Sequence, residues 1–83
     1  QYDKAAASYE KALELAPGNS IATYNLGNTF YRKNNAADAE KMFDATIEKS
    51  EDKRVISEAW NNKGVSLTQQ KKLEEVLKRI SRH

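Results

Sequence analysis

The 83-residue sequence predicts an all-α fold, an α–α superhelix of antiparallel helical hairpins with about five helices. Three observations predict it. Apolar residues recur at spacings of three and four along nearly the whole chain, the period of one helix face. Strand-forming β-branched runs are absent, and there are only one Pro and three Gly. The helical segments also repeat: Ala5, Tyr9 and Ala12 return 34 residues later as Ala39, Phe43 and Thr46. An apolar share of 39%, a charged share of 31% and a mean hydropathy of −0.88 suit a thin layered structure better than one central core.

The first helix is predicted over Tyr2 to Ala16, with Tyr2, Ala5, Ala6, Tyr9, Ala12 and Leu13 on one face. Pro17-Gly18-Asn19 ends it, and Asn19 or Ser20 caps the next. The second runs from Ser20 to Lys33, packing through Leu26, Gly27, Phe30 and Tyr31. A Gly inside a helix costs ~1 kcal/mol relative to Ala, so Gly27 marks a close approach of another helix. Asn34-Asn35 makes the turn. The third helix spans Ala36 to Lys49, with Ala39, Met42, Phe43, Thr46 and Ile47 as its stripe. Asp38 near its start and Lys49 near its end suit the helix dipole. Ser50 reads as a cap, so a fourth helix starts at Glu51 or Asp52. It carries Val55, Ile56, Ala59, Trp60, Gly64 and Leu67 and ends near Gln70. Lys71-Lys72 are placed in a turn, and a fifth helix carries Leu73, Val76, Leu77 and Ile80.

The repeat continues with a longer step. Leu26-Gly27 returns as Lys63-Gly64, and Ala39 and Phe43 return as Val76 and Ile80, each 37 residues on. This needs three extra residues, placed at Lys53 to Ile56 and absorbed as an extra turn. Gly27, Ala39 and Gly64 are expected to let helix axes approach, with Tyr9, Phe30, Phe43 and Trp60 filling the gaps.

The order Leu26, Gly27, Phe30, Ala39, Phe43 resembles the tetratricopeptide repeat family, and Tyr24-Asn25-Leu26-Gly27-Asn28 is similar to its consensus. Tyr2, Ala5, Tyr9, Ala12 and Pro17 carry the pattern before this unit. Trp60, Gly64, Leu67 and Val76 carry it after. The resemblance implies one domain: the second helix of an incomplete repeat (1–18), a complete repeat (19–53) and an incomplete third (54–83). A chain that starts at Gln1 is expected to be a slice of a longer array. Thr23 stands where the family has Trp, Thr46 and Glu51 replace a late Ala and Pro, Lys63 replaces Leu, and Val76 replaces a small Ala. The third unit is therefore expected to pack less tightly.

The resemblance also implies a function: a non-enzymatic scaffold binding a partner protein or peptide in a concave groove. The groove positions are Ile21, Tyr24, Asn25, Asn28, Tyr31 and Arg32, then Glu58, Asn61, Asn62, Val65, Thr68 and Gln69. Amide side chains donate and accept, so they can grip a peptide backbone, and tyrosines give contact area with few rotors. A reading of equal weight is that Asn25 and Asn28 hold local structure only. Relatives that bind chaperone C-terminal carboxylates use Asn with Lys or Arg. Glu58 stands at such a position beside Asn62, and its charge argues against that ligand. A second reading is a self-associating module, an end-to-end or swapped homodimer through an edge formed by Tyr2, Tyr9 and Leu13. A third is a regulatory slice of a larger protein. Trp60-Asn61-Asn62-Lys63-Gly64-Val65 resembles the tetratricopeptide proteins of bacterial aerotolerance gene clusters. That resemblance implies the bacterial periplasm or inner membrane rather than the cytoplasm.

Other chemistry finds little footing. No Cys is present, and the lone His83 has no expected partner. No phosphate loop or nucleophile elbow occurs, so no catalytic residue, metal or cofactor is expected. Glu10/Glu14 and Glu40/Asp44 read as charged faces, and Asp38 as a helix-start acid. Net charge is +2, from −2 over residues 1–48 and +4 over 49–83. Lys71, Lys72, Lys78, Arg79, Arg82 and His83 lack aromatic interleaving and are broken by Glu74-Glu75, so a solvated face is expected and not nucleic-acid binding. No apolar run approaches the ~20 residues of a membrane span, so no insertion is expected.

Overall fold

Short polar breaks set the helix ends. The computed structural model describes residues 1–82 and contains α1 (Tyr2–Leu15), α2 (Ser20–Arg32), α3 (Ala36–Lys49) and α4 (Lys53–Ser81). Asn19 caps α2, its Oδ1 accepting from the Ala22 N–H at 3.1 Å. Asn34 takes the left-handed turn, at φ 65°. Asn35 donates from Nδ2 to Asp38 Oδ2 at 2.7 Å, across the first turn of α3. Asp52 caps α4 by accepting from the Arg54 N–H at 2.9 Å, while Ser50 Oγ accepts from the Asp52 N–H. Lys49 reaches across to donate to the Pro17 carbonyl at 2.7 Å, tying the end of α3 to the α1–α2 turn. Asn19→Ala should cost about 1 kcal/mol. For a chain this size that is roughly a 4–8 °C drop in Tm, read by thermal circular dichroism.

Consecutive helices pack as neighbours, α1 on α2, α2 on α3 and α3 on α4. The core is Ala39, Phe43 and Ala59, with Tyr24, Phe30, Tyr31 and Ile47 around it and Leu26 buried nearby. Three buried threonines lie close by. Each donates its hydroxyl to a carbonyl one turn back: Thr23 to Asn19, Thr29 to Asn25 and Thr46 to Met42. A satisfied hydroxyl costs little to bury, so Thr46 sits where a small apolar residue would. Gly27 is where two helices meet: a Cβ there would lie 2.6 Å from Phe43 Cε1.

The expectation of about five helices is corrected to four among the described residues. Lys71 and Lys72 are helical, and α4 runs 29 residues instead of ending near Gln70. No Gly, Pro or Asn lies between Gly64 and Ser81, so nothing local stops the helix. Its first turn holds Lys53 to Ile56, where the extra residues of the longer repeat step fall.

The uninterrupted α4 overturns two packing expectations. Gly64 has nothing within 4 Å of where a Cβ would sit, so no helix approaches there. Trp60 fills no gap and is 55% exposed. The reason lies in the two faces of a repeat's first helix. In α2, Ala22 and Thr29 are buried, as are Thr23, Leu26 and Gly27. In α4, Ala59 and Ser66, each 37 residues later than Ala22 and Thr29, remain buried. The counterparts of Thr23, Gly27 and Phe30 are Trp60, Gly64 and Leu67, and all three are exposed. They belong to the side that a returning helix would cover.

Candidate functional site

The predicted groove residues sit where α2 and α4 come side by side over α3. Both amide hydrogens of Asn62 are used across this seam. Nδ2 donates to Tyr24 Oη at 3.0 Å and to Asn28 Oδ1 at 2.9 Å. The Tyr24 ring packs on Phe43, with centroids 5.9 Å apart and planes at 54°. The polar seam is thus fixed to the core beneath it. Asn61 adds a long bond from its Nδ2 to Asn62 Oδ1 at 3.4 Å.

Two adjoining hollows open along the seam. One, of about 230 Å³, is lined by Asn28, Tyr31, Arg32, Phe43, Asn62 and Val65. The other, of about 440 Å³, is lined by Tyr31, Asn61, Gly64, Val65, Thr68, Gln69 and Lys72. Tyr31 and Val65 form the wall between them. Of the predicted site residues, Asn28, Tyr31, Arg32, Asn61, Asn62, Val65 and Gln69 line the hollows. Tyr24 braces Asn62. Asn25 lines neither, and its carbonyl serves Thr29 within the helix. Ile21 and Glu58 are exposed outside the hollows. Of the proposed edge residues, Tyr2 is exposed, and Tyr9 and Leu13 are half-buried on α1.

Charged contacts brace the scaffold. Lys63 pairs with Asp44 at 2.7 Å and lies 5.0 Å from the centre of the Trp60 ring. The Asp44 hydrogen bond raises the Lys63 pKa, so this contact stays charged. Lys33 pairs with Asp3 across α1 and α2, and that hydrogen bond holds the Asp3 carboxyl below its usual range. Gln70 ties α4 to α3, donating to Glu40 Oε1 at 3.0 Å. Phe43, which sequence reasoning placed in the core, also borders the smaller hollow while exposing no surface to it. A third hollow, of about 520 Å³, lies between the α2–α3 turn and the overhanging half of α4, against Leu73 and Leu77. It exists because α4 does not turn back, so the segment read as a fifth helix concealed it.

Among the described residues there is no metal-binding cluster, and no helix is long and apolar enough to cross a membrane. His83, the sole histidine, lies outside the described residues. No curated protein sequence matches the chain. A sequence model of the tetratricopeptide repeat matches residues 1–61. That match includes only Trp60 and Asn61 of the run that resembles the aerotolerance proteins, and lends that narrower link no support. With no strand among the described residues, stacked helical packing and a match over most of its length, the chain belongs to the tetratricopeptide repeat family.

Proposed function

We propose that the chain is a non-enzymatic interaction module that holds a segment of a partner protein in the α2–α4 groove. The observation that carries this is the polar seam. Asn62 spends both amide hydrogens on Tyr24 and Asn28, which leaves the Asn28 Nδ2 group and the Tyr24 hydroxyl hydrogen for a ligand. Such donors suit peptide carbonyls, which every sequence offers. Beside them the smaller hollow has the exposed Val65 as apolar lining and Arg32 among its polar lining. The matching segment carries one apolar anchor with an acidic neighbour. Family membership favours a protein partner.

The test is selection from a random peptide library, followed by fluorescence anisotropy with a selected peptide. Asn28→Ala should weaken binding roughly tenfold, since one hydrogen bond is worth about 1 kcal/mol or somewhat more. Tyr31→Ala should weaken it further, because the ring walls both hollows. Selected peptides that bind both variants as tightly as the parent would place the binding surface elsewhere.

A further inference from the structure

The α2–α4 groove is charged in one sense only. Arg32 lines the smaller hollow and Lys72 the larger, and among the described residues no Asp or Glu lines either. We propose that the partner segment carries two acidic side chains, one for each hollow, on either side of the stretch that crosses Tyr31 and Val65. This rests on the groove being the binding surface and goes on to name what the groove selects.

The two cations are the uncommitted charges of the groove. The lysines that have carboxylate partners, Lys11, Lys33, Lys41, Lys63 and Lys78, line neither hollow. Arg32 and Lys72 have no such partner among the described residues. The acids of α3 that reach α4 are held elsewhere, Asp44 by Lys63 at 2.7 Å and Glu40 by Gln70 at 3.0 Å. A carboxylate entering either hollow therefore meets a cation with no built-in rival. Both cations are exposed, so pairing them strips little water and selects partners by charge.

Their separation sets the form of the ligand. Each cation lines one hollow, and Tyr31 and Val65 stand between the two. A chain terminus brings its main-chain carboxylate and its last side chain to one place. Two side-chain acids spaced along a segment fit separated cations instead. Arg32 offers a planar fork that takes a carboxylate through two bonds, whereas Lys72 offers a point charge.

The test is selection from a random peptide library displayed without a free carboxyl end, followed by fluorescence anisotropy. Selected peptides that lose affinity for Asn28→Ala bind in the groove. These should be enriched in Asp or Glu at two separated positions. Arg32→Glu and Lys72→Glu should each weaken them roughly three- to tenfold, and the double variant by about the product. Changing one peptide acid to its amide should abolish the response to one variant and keep the response to the other. Both substitutions are at exposed positions, so circular dichroism should match the parent. Groove binders without acid enrichment, or unchanged by both charge variants, overturn the two-acid inference and leave the groove reading standing. So does displacement of the peptide by single-stranded oligothymidylate, which would assign the cations to phosphate. Peptides indifferent to both Asn28→Ala and Tyr31→Ala overturn the groove reading and this inference together.

Discussion

Phe43→Ala is expected to unfold the chain at room temperature. Phe43 has no exposed surface and sits where three helices meet. Its ring lies over Gly27 of α2, faces Tyr24 and joins Ala39 and Ala59 in the core. Removing a buried Phe ring costs about 3–5 kcal/mol, through lost transfer energy and the cavity left behind. A chain of this size rarely draws more than about 3–5 kcal/mol from its core. Here the core is thin, because its other wholly buried apolar members are alanines. The cavity also cannot collapse easily, since Gly27 has no side chain to fill it. The measurement is far-ultraviolet circular dichroism against temperature. Phe43→Ala should show mostly lost helix signal at 25 °C, and Phe43→Leu should keep a cooperative but lowered transition. A Phe43→Ala transition within a few degrees of the parent's would mean that the three-helix core is not what holds the chain.

Legibility in the sequence followed the strength of local signals. α1, α2 and α3 were readable to within a residue at each end because each boundary carries chemistry. Pro17-Gly18-Asn19 breaks and caps, Asn34 takes positive φ, and Asp52 caps α4. Gly27 was readable as a close approach because a mid-helix Gly needs a reason. The readings of Gly64 as a close approach and of Lys71-Lys72 as a turn follow the repeat pattern, and local chemistry supports neither. Lys is a good helix former, and repeat spacing cannot make it a turn. The site was legible in part. Asn28, Asn62 and Tyr31 line the hollows beside α2 and α4, but the cross-helix bond from Asn62 to Asn28 and Tyr24 depends on how α4 docks on its neighbours. Periodicity says which side chains share a face and not which will meet across a seam.

Gly27→Ala and Gly64→Ala should move stability in opposite directions, although the two glycines are equivalent in the repeat. Both gain helix propensity, about 0.8–1 kcal/mol per Gly→Ala change. At Gly27 that gain is overwhelmed. The new methyl would lie 2.6 Å from one Phe43 ring carbon and 2.9 Å from another. The ring is wholly buried, so it has nowhere to swing, and overpacking of this kind costs about 1–3 kcal/mol. The steric cost sets the sign, and Tm should fall by several degrees. At Gly64 the methyl meets nothing, so only the propensity gain remains, and Tm should rise by roughly 3–8 °C. The comparison belongs at a protein concentration low enough to keep the chain monomeric. It also tests the uninterrupted α4 directly. If Gly64→Ala destabilises as Gly27→Ala does, something covers Gly64 in the monomer. Among the described residues, the apolar stripe that follows Gly64 in the chain is Leu73 to Ile80. α4 would then bend near Lys71 to close a third hairpin.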